Sequence, residues 1–470
     1  MNPSSWLLLF AGATPLLLAG CASRYNVSTI DSRTRELFAA TEAPSLELGP
    51  HQLTDAETHL LEVADLESYV AFGLHSSAQL RTAFENWRAS TERVVQVSSL
   101  PDPRLSFGEF LEQVQTRTGP QRRRIGLSQA FPWPGELDAK ANLATRQVEA
   151  AWEQVEQARL GVVRRIQEAY YAYAFLAREL GIRRELLTLV QGLEPVVQGR
   201  IRGGAGQEDL LRLQVELGRL EDDLGSLERS RPALSARLAD AMNWPLESAA
   251  LLPLPRLEIP STQTRATAEL LDIALEANPK LRGLERQLAA AESAEQLSAF
   301  KGRPNFTARV DYIQTGEALS STTPGSGNDP LFVGFSMSLP VWRASISAAE
   351  REAKHRVRAA RAQLDQGRSL LHADIVEQAY FVEDAQRRIE LFQNSLLPRA
   401  REALQLTTAS YRSGNATVLD LLDSERALLE FELSLWRACR AYLQGEARLH
   451  ELLGGKQLLD SLPTPAEPTR

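Results

Sequence analysis

The sequence predicts a mainly α-helical chain that also carries a membrane β-barrel segment, built from a helix–β-hairpin–helix unit used twice. Three observations predict this class. Two proline-poor stretches are too long for a compact domain, a pair of alternating apolar–polar segments precedes each, and the chain repeats itself at a period of about 200 residues.

Composition sets the outer limits. Of 470 residues, 43% are apolar and 24% charged, which excludes both a disordered chain and one that is helical membrane protein throughout. The net charge of -8 leaves no basic surplus for phosphates and excludes nucleic acid as the main partner. Two cysteines, Cys21 and Cys439, cannot supply a disulfide framework.

The N-terminus reads as an export signal. Residues 6–19 form an apolar run of signal-peptide length, too short to cross a bilayer as a helix. The run ends in Leu18-Ala19-Gly20-Cys21, which resembles the bacterial lipoprotein box. Residues 1–20 are then the signal peptide, Cys21 the acylated first mature residue, and 21–65 a lipid-anchored segment. Ala22, in place of an Asp, points to the outer membrane. Acyl chains anchor without spanning, so any pore must come from later sequence.

Long helices come next. Between Glu136 and Ile201 the only proline is Pro195, and between Ala344 and Ser413 it is Pro398. A continuous helix of either length would reach about 100 Å. Both stretches are rich in Ala, Leu, Arg, Glu and Gln, which favour helix. In the second, Ile375, Ala379 and Val382 define one face, which Ile389, Phe392 and Leu396 are expected to continue.

Four segments of strand character precede these helices, at 104–113, 122–131, 304–313 and 330–339. The fourth puts Leu331, Val333, Phe335, Met337 and Leu339 on one face, with Gly334, Ser336 and Ser338 on the other. The third alternates Phe306, Ala308, Val310 and Tyr312 with Thr307, Arg309 and Asp311. In the first, Glu109 interrupts the row Leu105, Phe107, Leu111. Strands of this length with one apolar face are what a membrane barrel needs. A short turn at Arg117-Thr118-Gly119-Pro120 joins one pair, and a long polar loop from Gly316 to Asp329 joins the other.

The repeat aligns Leu74–Arg81 with Leu275–Arg282, an offset of 201 residues (74 to 275), and Ile201-Arg202-Gly203-Gly204 with Tyr411-Arg412-Ser413-Gly414. Residues 66–244 are thus the first copy and 266–454 the second. A proline-rich linker at 245–265 separates them, and 455–470 is a tail. Four strands cannot close a barrel, and an open sheet edge in lipid leaves backbone groups unpaired at several kcal/mol each. The chain must therefore join copies of itself, and two or three copies both satisfy the physics, with the long helices forming a tube beyond the barrel.

These features resemble the TolC-type outer-membrane factor, or outer membrane efflux protein, family. The resemblance rests on the duplicated unit, on Gln129-Ala130-Phe131-Pro132-Trp133-Pro134-Gly135 with its counterpart Ser338-Leu339-Pro340-Val341-Trp342, and on Tyr411-Arg412-Ser413-Gly414 running on to Val418-Leu419-Asp420-Leu421-Leu422-Asp423. It implies a homotrimer with a 12-stranded barrel in the outer membrane, continued by an α-helical periplasmic barrel. It also implies partnership with a periplasmic adaptor and an inner-membrane pump of RND type, and a duct with no chemistry or cofactor of its own.

Within that resemblance the turn at Gly414 is the periplasmic tip, and the equivalent turn of the first copy is at Gly204. Asp420 and Asp423 match acidic positions that ring the constriction, Tyr411 an aromatic position that holds the tip closed, and Asp209 is the best acidic match in the first copy. The family's basic residue near Tyr411 has no counterpart at Asn415 or Ala416. A ring of six carboxylates would favour cations. The stretch Gln115–Gln121 with the Phe-Pro-Trp-Pro-Gly junction is most similar to members paired with heavy-metal pumps. No two of the six His stand at helical metal-ligand spacing, and no catalytic constellation emerges. Cys439 reads as a small packed residue, and Arg122, Arg123 and Arg124 as a solvated run or a contact for lipopolysaccharide phosphates. The competing reading is a periplasm-spanning structural or adaptor lipoprotein without a pore.

Overall fold

The computed structural model describes residues 65–202, 207–244, 252–262, 265–320 and 322–455. In order these form α1 (Leu66–Ser76), α2 (Ala78–Ser98), β1 (Arg104–Thr116), β2 (Gly119–Phe131), α3 (Glu136–Arg202), α4 (Glu208–Met242), α5 (Thr267–Ala277) and α6 (Pro279–Ser298). They continue as β3 (Phe306–Thr315), β4 (Leu331–Met337), α7 (Arg343–Leu391), a π-helical turn (Phe392–Leu396), α8 (Leu397–Arg412) and α9 (Val418–Leu452). The signal peptide, Cys21 and the C-terminal tail fall outside the described residues.

The described residues divide into a strand unit (86–152 with 283–365) and a helical unit (65–85, 153–282 and 366–455). Among them no helix is long and apolar enough to cross a membrane.

The strand unit is one antiparallel sheet in the order β1-β2-β3-β4. Its two faces differ as the alternation requires. Leu105, Phe107, Ile125, Leu127, Val310, Leu331, Val333 and Phe335 are all at least 40% exposed, an apolar surface that none of the described residues covers. Glu109, the misfit of the first strand, stands directly opposite Arg123 and pairs with it at 3.4 Å. Beyond that pair the β1–β2 ladder slips, and Arg122 is skipped in the ladder to β3 as well. β1 runs to Thr116 and β3 to Thr315, past the expected ends, because the outer turns bond to each other: Gly316 N–H donates to the Pro120 carbonyl at 2.7 Å and Gly327 N–H to that of Thr118 at 2.9 Å. At the other end Pro304 and Pro340 cannot donate to a ladder, and β4 stops at Met337.

The duplication is visible atom by atom in the helical unit. Ser77 caps α2 by accepting from Leu80 N–H at 3.2 Å, and Asn278 caps α6 by accepting from Leu281 N–H at 3.0 Å. Asn243 then ties the end of α4 to the Ser76 carbonyl at 3.0 Å, and Asn278 ties the end of α9 through the Leu452 carbonyl at 2.9 Å. Tyr69, Phe72, Ile166, Tyr173, Leu238 and Met242 form a core that also takes in Leu252, whose carbonyl accepts from the Tyr173 hydroxyl at 3.0 Å. The segment expected to be a linker is therefore packed at Leu252.

One expectation needs correction. Val382 and Ile389 are buried seven apart, but the stripe resumes at Leu397, eight further on, and Phe392 and Leu396 are only half-buried. Pro398 has no N–H for the Asn394 carbonyl, and the chain answers with the π turn over Phe392–Leu396, which holds one residue more than an α turn. The extra residue shifts the stripe by one.

Candidate functional site

Where α3, α4, α8 and α9 come together, Leu186, Val190, Val197, Leu213, Leu220, Val418, Leu421 and Leu422 form a second core with Tyr411. The turn between α8 and α9 needs Gly414 at φ +85°, a left-handed conformation that favours glycine. Its counterpart Gly204 lies outside the described residues.

Thr417 starts α9 with a reciprocal cap. Its hydroxyl oxygen accepts from Asp420 N–H at 3.2 Å, while the Asp420 carboxylate accepts from Thr417 N–H at 2.8 Å and from its hydroxyl at 2.7 Å. These bonds hold the Asp420 carboxyl below the usual carboxylate range, first through the backbone bond of Thr417 and then through its hydroxyl. Asp423, one turn on, is exposed like Asp420, whereas Leu421 and Leu422 between them are buried. Asp423 pairs with Arg426 at 3.3 Å. Asp209 stands half-buried in the first turn of α4.

Arg426 reaches across to α4. Its Nε donates to Glu216 Oε1 at 3.2 Å and a second N–H to Glu216 Oε2, a bidentate clasp on a carboxylate 8% exposed. Glu425, next to Arg426, is buried, and one of its oxygens has no hydrogen-bond partner. Burial, and then the charge of Glu216, raise its carboxyl from the usual range to about 7. Tyr411 is buried with the Arg200 guanidinium 4.7 Å from its ring centroid. Sequence reasoning sought a cation for Tyr411 within its own turn; the cation comes from the other copy. Arg200 immediately precedes the Ile201–Gly204 segment that aligns with Tyr411–Gly414, and that adjacency was the available signal.

The remaining sequence candidates separate. Arg122, Arg123 and Arg124 do three different things: a ladder slip, a pair with Glu109, and a pair with Asp311 at 2.8 Å. Cys439 is fully buried, and burial pushes its thiol up to about 12. Among the described residues no group of three His, Cys, Asp or Glu is placed to hold a metal ion.

A sheet of four strands with a bare apolar face, carried by twice-repeated long helices, defines the outer-membrane channel class of fold. Residues 270–455 match the family model described as outer membrane efflux protein. The chain is 25% identical over 352 residues to the pyoverdine export outer membrane protein OpmQ of Pseudomonas putida, covering 72% of this chain and 71% of that one. It is 22% identical over 410 residues to nodulation protein T of Rhizobium leguminosarum bv. trifolii, covering 83% and 85%. The fold is shared with the outer-membrane channel OprN (TM-score 0.71, 20% identity, 85% of this chain and 92% of that one). It is shared also with the outer membrane protein VceC of Vibrio cholerae (TM-score 0.69, 20% identity, 83% and 96%). The chain thus shares its fold with outer-membrane channel proteins.

Proposed function

We propose that the chain is the exit duct of a tripartite efflux system. It works as a homotrimer, receives cargo from an inner-membrane pump of RND type through a periplasmic adaptor, and performs no chemistry on what it passes. The single observation that carries this reading is the four-stranded sheet with its apolar face exposed. Its outer strands β1 and β4 have no partner on one side within the sheet, and lipid does not tolerate such edges. Three copies supply twelve strands and an α-helical wall for the periplasmic part. A pore-free adaptor would have no use for that face.

Cys21 carries the lipid anchor in this reading, and the turns at Gly414 and Gly204 form the periplasmic tip. Asp420, Asp423 and Asp209 line the gate, while Tyr411 under Arg200 supports it from within. Two roles meet in Asp420, which caps its own helix through Oδ2 and offers its other oxygen to the pore. The acidic gate favours cations, heavy-metal ions among them. The test is a gel of unheated, detergent-solubilised protein followed by planar-bilayer recording. A heat-dissociable trimer with ion conductance is expected; a monomer that stays soluble without detergent once the anchor is removed sinks the reading.

A further inference from the structure

The polar face of the sheet carries a cluster that none of the foregoing uses. Asp311 on β3 is 1% exposed and is gripped by two arginines. Arg124 on β2 donates from Nε to Oδ1 at 3.1 Å and from Nη2 to Oδ2 at 2.8 Å. Arg309, two residues before Asp311, donates from Nε to Oδ2 at 2.8 Å and from Nη2 to Oδ1 at 3.1 Å. Four N–H donors saturate the two carboxylate oxygens, and each guanidinium commits two of its five N–H groups to them. Both arginine side chains are 40% exposed.

Two glycines on the same face make room for the cluster. Gly126 lies opposite Asp311, and a Cβ there would sit 2.2 Å from Asp311 Oδ1 and 2.7 Å from Ser106 Oγ. Gly334 lies opposite Arg309, and a Cβ there would sit 2.7 Å from the Phe332 ring and 3.2 Å from the Arg309 side chain. The neighbouring strand positions, Ile125, Val310, Tyr312 and Val333, point to the other, apolar face. Asp311 and Gln121–Arg124 lie toward the end of the sheet where the Thr118 turn and the 316–329 loop meet.

We infer that Arg124 and Arg309, held by Asp311, form an anion-binding belt on the lumen wall near the outer end of the barrel, taking carboxylate or phosphate groups of molecules on their way out. The inference rests on the duct reading, because only a closed ring turns this face into a lumen. Each chain adds one net positive charge at this level, two arginines against one aspartate. Spare guanidinium N–H groups offer the forked geometry that carboxylate and phosphate oxygens accept, and Phe332 at the same level supplies an apolar surface beside them. Arg124 on β2 already ties the two strands in register; Arg309, on the same strand as Asp311, fixes no register and leaves charge facing the passage.

Arg309→Gln is the informative variant, since Arg124 continues to satisfy Asp311. The full-length protein is reconstituted in planar bilayers and inositol hexaphosphate is added to each side in turn. Block from one side only is expected, with the half-blocking concentration rising about fivefold in Arg309→Gln and less in Arg309→Lys, which keeps the charge and loses the fork. Unheated gels should show the same trimer in all three proteins. Trimers that conduct but are blocked equally in parent and Arg309→Gln, or equally from both sides, overturn the belt and leave a register clamp. Absence of trimer and conductance in the parent strikes down the duct reading, and the belt with it.

Discussion

The two copies differ where each begins its last helix. In the second copy Thr417 and Asp420 close a full reciprocal cap, and Arg426 extends from the same helix to Asp423 and across to Glu216. In the first, Gln207 precedes α4 without a side-chain cap bond. Both last helices are 35 residues long, so the difference is not one of size. It teaches that duplicated scaffolds can keep the same helices while concentrating local bonding in one copy. The capped helix start also reaches the first copy, through the clasp of Arg426 on Glu216.

Cutting that clasp should have the largest effect. Arg426→Leu strands the buried Glu216 carboxylate; after discounting for the part of the pair that faces solvent, the loss is about 1–3 kcal/mol. A lower thermal midpoint of the detergent-solubilised protein would register it, whereas an unchanged midpoint would mean the turns do not depend on each other. Glu425→Gln sharpens the same point through pH. The folded carboxyl titrates near 7 against an ordinary 4.5, so between those values the folded protein holds more protons than the unfolded chain. Its contribution therefore falls as pH rises through that window, and the penalty is complete above about 7. The variant should flatten the midpoint-versus-pH curve there and be the more stable protein at pH 8; parallel curves would contradict the buried placement.

Smallest is the cap itself. Thr417→Ala should cost about 1 kcal/mol, whereas Gln207→Ala in the first copy, where the side chain caps nothing, should cost a few tenths at most. Amide hydrogen exchange along the first turns of α9 and α4 reads both, and equal protection of the two turns in the parent protein would erase the contrast.

Much of this was legible from sequence, for physical reasons. Strand alternation survives in the text because one face must be apolar, and Val310 against Arg309 and Asp311 shows it plainly. The cap went unread, although Thr417 stands three residues before Asp420. What stayed hidden depends on who lies opposite whom. Glu109 looked like a fault until the register set Arg123 against it. Arg124, Arg309 and Asp311 sit on two strands 187 residues apart at their widest, so no local reading could join them. Pro398 announced a disturbance but not that the helix would absorb it with one added residue, which moved the buried position from Leu396 to Leu397. Arg200 was missed because the search for a partner stayed inside the turn of Tyr411.

The strand order has an arithmetic corollary. With four strands running alternately up and down in chain order, the last of one copy and the first of the next also run in opposite directions. In the proposed ring the seam between subunits would therefore have the same polarity as the ladders within them. Any number of copies can close without a parallel joint, and ring size is left for the packing of the helices to decide.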